Sequence, residues 1–235
     1  MNMINKERFL NTLKQYDIEI SEKQFEQLDK YAEILVDYNE KVNLTAITDP
    51  EGIENKHFLD SLLFAKNPLV KGKVVDVGTG AGFPGIVTKI FKPDEVELTM
   101  IEPTGKRCTF LQYALDTIGL KANVVKERAE EAARKGYREQ YDVATARAVA
   151  DMRVLSEYCI PLVKVGGHFI AMKGDGEKEL TPAMNAITKL GGKFSNMEEY
   201  ALPDESKRTI IICKKEKETP KVYPRNGGKI AKAPL

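Results

Sequence analysis

The amino-acid sequence predicts an α/β fold: a mostly parallel, seven-stranded sheet with helices on both faces and a helical N-terminal extension. Three observations carry this. Between residues 71 and 215, apolar runs of strand length alternate with segments of helical period, and repeated βαβ units of that kind build a parallel sheet with right-handed crossovers. The first strand runs into a glycine-rich turn and a helix start at Gly78-Thr79-Gly80-Ala81-Gly82-Phe83-Pro84-Gly85. The first 70 residues, by contrast, show helical spacing only. The chain accordingly divides into an extension (1–70), a ligand-binding α/β domain (71–215) and a basic, extended C-terminal tail (216–235).

In the extension, Ser21-Glu22-Lys23-Gln24 reads as a capping box, in which serine and glutamine satisfy each other's backbone donors. It opens a helix whose Phe25, Leu28, Tyr31, Leu35 and Tyr38 recur at helical spacing, as a core stripe should. Asp49-Pro50 starts a second helix carrying Ile53, His57, Phe58, Leu62 and Leu63. Lys73–Val77 has the β-branched content of an interior parallel strand, and Pro84 suits the first turn of the following helix, where its missing N–H costs nothing. The pattern then predicts strand 96–101, helix 104–118, strand 122–125, an Ala/Glu-rich helix 127–135 and strand 142–145. Helix 152–163, strand 168–172 and helix 178–190 follow. Two last strands, 193–201 and 208–213, joined near Leu202-Pro203-Asp204, read as a hairpin, so one strand runs antiparallel. The segment Tyr223-Pro224-Arg225-Asn226-Gly227-Gly228 has neither period and reads as extended.

The glycine turn points to a nucleotide-like cofactor. Gly78, Gly80 and Gly82 allow a sharp turn and a close ligand approach, and a helix start after such a turn offers amides and a positive end to a polar group. Gly80, Gly82 and Gly85 fit the dinucleotide fingerprint G-x-G-x-x-G, a weak signal alone. Asp76, two residues before Gly78, adds the pattern apolar-Asp-apolar-Gly-x-Gly-x-Gly, which resembles the first motif of S-adenosylmethionine-dependent methyltransferases. In that resemblance the acid lies near the methionine amino end of the cofactor. Glu102, at the tip of the second strand, stands where a ribose diol is gripped in either cofactor class, so it does not discriminate. Seven strands closed by an antiparallel hairpin resemble the class I S-adenosylmethionine-dependent methyltransferase fold more than the six-stranded dinucleotide sheet.

Ligands of open α/β sheets sit at the carboxyl ends of strands, which makes the other strand ends candidates. After the third strand, Ala129 offers its backbone to a ring edge and Glu130 a carboxylate to an adenine amine; alternatively Glu130 is a surface acid favoured by a helix dipole. Arg147, flanked by alanines at the end of the fourth strand, is read either as a two-pronged ligand for a carboxylate or an RNA phosphate, or as a snorkelling surface residue. Lys173, after the fifth strand, is a phosphate contact or simply exposed. His57 and Asp60 form either a pair at the cofactor mouth or an anchor pinning the extension to the sheet.

Composition bounds the rest. A net charge of +1 gives no global field for nucleic acid, but Lys214, Lys215, Lys217, Lys221, Arg225, Lys229 and Lys232 make the C-terminal end basic. Three dispersed cysteines and two histidines argue against zinc or a disulfide framework, so metal ligands are not expected. Without a signal-peptide pattern or a span of membrane length, the expectation is a soluble cytoplasmic protein without membrane contact.

Several segments together resemble one family. Tyr38 through Thr48, His57-Phe58-Leu59-Asp60-Ser61-Leu62, Asp76 through Gly85, Glu127 through Glu131, Thr145-Ala146-Arg147-Ala148 and Tyr223-Pro224-Arg225 occur in the order of the bacterial small-subunit ribosomal RNA guanine-N(7) methyltransferases (glucose-inhibited division protein B). Tyr38-Asn39 stands where the family commonly has Trp-Asn, and Gly227-Gly228-Lys229-Ile230 where a proline is usual, so the last eight residues receive no role. The resemblance implies methyl transfer from S-adenosyl-L-methionine to nitrogen 7 of a guanine in the decoding-region loop of 16S ribosomal RNA. The expected partner is that RNA within the small subunit or an assembly intermediate, and the expected state is a monomer. It implies cofactor contacts at Gly78, Phe83, Ala129, Glu130 and Arg147; Gly80 and Glu102 join them from the turn and strand reading. Nitrogen 7 carries a lone pair and no proton, so no general base is required and no catalytic side chain is named. RNA contacts are expected at Lys173, Arg208, Lys221 and Arg225. A non-catalytic assembly binder and a nicotinamide-dependent oxidoreductase are the alternatives, and the latter leaves Asp76 and Ala129-Glu130 without a role.

Overall fold

Continuous burial along the central strands, on both faces of the sheet, sets the architecture. The computed structural model describes residues 2–235. Helices α1 (Lys6–Gln15) and α2 (Glu22–Asn39) come first, the latter with the Ser21/Gln24 capping box formed. Asp49 caps a short α3 (Pro50–Gly52) that continues as a π-helical segment (Ile53–Leu59) and then α4 (Asp60–Ala65). The α/β part follows as β1 (Gly72–Val77), α5 (Gly85–Phe91), β2 (Val96–Ile101), α6 (Gly105–Ile118), β3 (Asn123–Val125), α7 (Ala129–Ala132) and β4 (Tyr141–Arg147). Then come α8 (Met152–Cys159), a 3-10 turn (Ile160–Leu162), β5 (Val163–Lys173), α9 (Gly176–Lys189), β6 (Gly192–Ala201), β7 (Lys207–Lys215) and α10 (Gly227–Lys232).

The strands form one seven-stranded sheet in the order β3-β2-β1-β4-β5-β7-β6. All neighbours pair in parallel except β7, which is antiparallel to both β5 and β6, as the hairpin reading requires. Successive side chains alternate between faces. Val74, Leu98, Met100, Val143, Ile170 and Ile212 pack with α5, α6 and the whole extension in one core. Val75, Val77, Ala144, Phe169, Ala171 and Ile211 pack with α7, α8 and α9 in the other. Phe9, Leu13, Leu28, Tyr31 and Phe58 belong to the first core, so the extension is laid against the sheet and brings the π-helical segment to its carboxyl edge.

Five elements differ from the sequence pattern. Helix α1 was not expected; Asn5 caps it and only Phe9 and Leu13 are buried from it, too short a stripe to stand out. Its Arg8 forks onto Glu54, which is 1% exposed and also accepts from the Asn5 amide, so the two ends of the extension are tied by a buried charge. The helix expected over 152–163 ends at Cys159, since Pro161 cannot supply an amide, and the next strand starts at Val163 rather than 168. The helix expected over 127–135 is regular only at Ala129–Ala132. The tail expected to be extended contains α10, capped by the Asn226 side chain on the Lys229 amide, with Ile230 buried.

Candidate active site

Strand order reverses between β1 and β4, the switch point where a crevice opens outside the carboxyl ends. Two cavities flank it. One, of about 380 Å³, is lined by Val77 and Gly78 after β1, Ile101 and Pro103 after β2, Arg128, Ala129 and Glu130 after β3, and Val149 and Ala150 after β4, with Val154, Tyr158 and Ala231 closing it. The other, of about 410 Å³, lies over β4, β5 and β7 and is lined by Ile47, Lys56, His57, Asp60, Arg147, Ala148, Met172, Lys173, Gly174, Glu179 and Arg208. The segment Arg147–Ala150 separates them.

The glycine turn is hydrogen-bonded to itself and its neighbours. Gly78 and Thr79 donate to the Ile101 carbonyl, Gly80 to the Glu102 carboxylate, Gly82 and Phe83 to the Thr79 carbonyl, and Gly85 to Asp76. The expectation of free amides for an anionic group is therefore corrected: these donors are taken. A pyrophosphate has no amide cradle here, which removes the support for a dinucleotide. Gly78 has φ +64°, and a Cβ there would lie 2.7 Å from Val149 Cγ2. Tyr31, read from the sequence as core, donates its hydroxyl to the Ala81 carbonyl and so holds the turn to α2.

Asp76 braces the turn from below. Its Oδ2 accepts from the Thr79 hydroxyl at 2.6 Å and the Gly85 amide at 2.9 Å, while Oδ1 is buried without a partner, as is the hydroxyl of Thr145, its register neighbour on β4. Burial pushes the Asp76 carboxyl from 3.8 up to about 6, against the opposing pull of those two hydrogen bonds and of Arg147. The folded state thus keeps a proton that the unfolded chain releases, and stability falls as pH rises from about 4 to about 6, then levels off. Asp76→Asn removes that slope. Urea unfolding of both proteins at pH 3 and pH 7 should show the variant gaining about 3 kcal/mol on the parent between the two pH values.

The other sequence-derived residues divide between the cavities. Ala129 and Glu130 line the first, and Glu130 is 3% exposed with no hydrogen bond among the described residues; its nearest cation is Arg128 at 3.9 Å. Glu102 lines neither cavity: its oxygens hold the Gly80 amide at 3.1 Å and the Thr104 amide at 2.9 Å, fixing the turn against β2. Gly80 sits in that contact. Phe83 is buried behind the crevice, its ring stacked 4.4 Å from His57 and 5.1 Å from the Arg147 guanidinium.

Arg147 reaches into the second cavity and is not free. Its Nη1 donates to Asp60 Oδ2 at 2.8 Å and to the Lys56 carbonyl at 3.0 Å, and Nη2 lies 3.4 Å from His57 Nδ1. The snorkelling reading is thereby corrected, since the side chain is only 16% exposed. His57 and Asp60 do not bond each other; both turn to Arg147 from the π-helical segment and the start of α4, a winding often found at functional sites. Asp60 Oδ1 also accepts from the Tyr200 hydroxyl at 2.9 Å and lies 3.7 Å from Arg208 Nε. Burial, then the Arg147 charge, lowers His57 to about 3, so the ring is neutral and cannot serve as an acid. Accepting at Nδ1, it donates from Nε2 to the Thr45 hydroxyl at 2.9 Å. Burial and the Asp60 carboxylate push the Tyr200 phenol up. Tyr200 and Thr45 escaped the sequence reading; no local pattern links Tyr200 to a partner 140 residues away.

Two expected RNA contacts are corrected. Lys173 is neither exposed nor free, bonding Glu179 and the Ala150 carbonyl at 2.6 Å each. Arg225 is engaged with Glu157, which is fully buried. Lys221 is exposed and Arg208 partly so. Among the described residues no group of three or more His, Cys, Asp or Glu is placed to hold a metal ion, and no helix is long and apolar enough to cross a membrane. The cysteines are unpaired thiols, with Cys159 and Cys213 buried.

Known proteins resemble this chain over nearly its whole length. A family model, GidB, described as rRNA small subunit methyltransferase G, matches residues 24–210. The ribosomal RNA small subunit methyltransferase G of Halalkalibacterium halodurans is 48% identical over 233 residues, covering 97% of this chain and 98% of that protein. That of Lysinibacillus sphaericus is 47% identical over 240 aligned positions, covering 99% and 100%. Among solved structures, an S-adenosylmethionine-dependent O-methyltransferase from Thermotoga maritima aligns with a TM-score of 0.54 at 16% identity, over 79% of this chain and 73% of that one. An Aquifex aeolicus S-adenosylmethionine-dependent methyltransferase gives 0.52 at 17%, over 70% and 93%. At such identities these two bear on the fold, which is the class I methyltransferase sheet.

Proposed function

This chain belongs to the rRNA small subunit methyltransferase G family, and we propose that it transfers a methyl group from S-adenosyl-L-methionine to nitrogen 7 of a guanine in the decoding-region loop of 16S ribosomal RNA. The observation that carries this is the pair of cavities at the switch point, one ending in a buried carboxylate without a hydrogen bond among the described residues and the other rimmed by cations.

The first cavity suits the cofactor. Apolar walls from Ile101, Val154 and Tyr158 accept a flat ring, Glu130 has the lone pairs for an exocyclic amine, and Ala129 supplies backbone at the ring edge. Gly78 lets the ligand approach β1, Gly80 and Glu102 hold the ribose side of the turn, and Arg147 stands at the methionine end with Phe83 behind it. The bound cofactor supplies an electrophilic methyl group. The second cavity receives the acceptor nucleotide: with Arg147 held by Asp60 and Lys173 by Glu179, the more exposed Lys56 and Arg208 are the rim cations for phosphate. Since nitrogen 7 has no proton to lose, the residues need only align donor and acceptor, within about 3–3.5 Å, and exclude water. Neutral His57 fits that requirement by orienting Arg147 without competing for a proton. The reading includes action as a monomer, and a ribosomal substrate supports a cytoplasmic location, on the small subunit or an assembly intermediate.

The test is methyl transfer from labelled cofactor to small subunits from cells lacking this protein, followed by nucleoside mass spectrometry. A single new 7-methylguanosine in 16S RNA is the expected result. Incorporation only into protein-poor RNA moves the substrate earlier in assembly. Binding of cofactor with no incorporation into either overturns the acceptor assignment.

A further inference from the structure

The C-terminal segment, whose last eight residues have no role legible in the sequence, is strapped to the α/β domain by buried charges. Lys215 Nζ is buried on the Ile160 carbonyl, Thr219 Oγ1 and Glu139. Arg138 holds the carbonyls of Thr219 and Tyr223. Arg225 then closes the strap: its amide, Nε and Nη2 all donate to Glu157 on α8, a carboxylate with 0% exposure. Leaving a buried carboxylate with a single cationic partner makes that contact costly to break. Immediately beyond it, Asn226 caps α10, Ile230 anchors the helix in the core, and Ala231 lines the first cavity.

Where α10 begins, its backbone presses on Glu130. A Cβ built on Gly227 would collide with Glu130 Oε1 and lie 3.2 Å from its Cδ, whereas one on Gly228 would meet only Asn226 Oδ1 at an ordinary 3.7 Å. We propose that the C-terminal segment is the outer wall of the cofactor cavity and that Gly227 is a positioning residue, absent a side chain so that the Glu130 carboxylate can stay aimed at the amine of a purine ring. The inference rests on the cofactor reading of this cavity. Gly227 opens a helix, where alanine is the better helix former, so a methyl group there leaves the fold intact and moves the flexible Glu130 instead.

The experiment is calorimetric titration of the full-length protein with S-adenosylhomocysteine, alongside steady-state methyl transfer and thermal melting. Gly227→Ala should weaken binding by about tenfold, the loss of one charge-assisted hydrogen bond, and raise KM for S-adenosylmethionine with kcat and melting temperature retained. Gly228→Ala should bind as the parent does. Ala231→Trp, which fills the cavity from the same helix, should exclude the ligand and provides a second reading should Gly227→Ala melt early. Parent-like binding by both Gly227→Ala and Ala231→Trp overturns the wall, and equal weakening by Gly227→Ala and Gly228→Ala overturns the positioning role. A parent protein that does not bind S-adenosylhomocysteine overturns the cofactor reading and this proposal with it.

Discussion

Gly78→Asp should abolish methyl transfer while the protein remains folded. Its backbone at φ +64° is disfavoured for a residue with a side chain, and the new Cβ would fall 2.7 Å from Val149 Cγ2, so the segment over the turn is pushed outward. The added carboxylate enters the cavity that already holds buried Glu130, with Glu102 behind the turn. Backbone strain of this kind costs about 1–3 kcal/mol, which a protein of this size tolerates. Binding of S-adenosylhomocysteine should weaken by about a hundredfold or more, because steric exclusion and like charge act at one point. Gly80→Ala is the matched comparison. Its Cβ would have only the Gly78 carbonyl nearby, at 4.0 Å, so strain at φ +59° remains without obstruction. Calorimetry on both proteins checks the difference; equal loss in the two would mean that the turn acts through backbone shape alone.

Arg147→Met should be the most destabilising single change in the site. It removes the direct partner of Asp60, which is 2% exposed and retains only Tyr200 and the more distant Arg208. Stranding a buried carboxylate costs about 3–5 kcal/mol, or on the order of 10 °C in melting temperature for a chain of this length. The double variant Arg147→Met with Asp60→Asn removes both charges and should recover most of that loss in urea unfolding. It should not recover methyl transfer, because the guanidinium between Phe83 and the second cavity is gone. Recovery of both stability and activity would reduce Arg147 to a structural post.

The glycine turn and the βαβ rhythm were legible because they are local. The central strands β1, β4 and β7 are apolar runs buried on both faces, their successive side chains entering one core and then the other, and the helices that cover them carry matching stripes, so the pattern in the chain and the pattern in space coincide. The two cavities were legible in part: Gly78, Ala129, Glu130 and Arg147 follow from listing strand ends, since an α/β sheet gathers those ends at one edge. Their partners were not. Asp60, Arg147, Tyr200 and Arg208 come from four separate elements, and α10 meets Glu130 across nearly a hundred residues of chain.

By itself, the sequence determined the order of strands and helices within the α/β domain, the antiparallel close of the sheet, the position of the ligand turn and the family. Each of these depends on residue type at short spacing, where side-chain period and backbone freedom act directly. Only the tertiary structure decided which polar groups remain available to a ligand. The Gly80 and Thr104 amides are held by Glu102, Lys173 by the half-buried Glu179 and Arg225 by the fully buried Glu157, whereas Glu130 has no hydrogen bond among the described residues. A hydrogen-bonding group has the same letter in the chain whether it is satisfied or free. What makes the difference is a partner brought near by packing, and packing here joins residues tens to hundreds of positions apart.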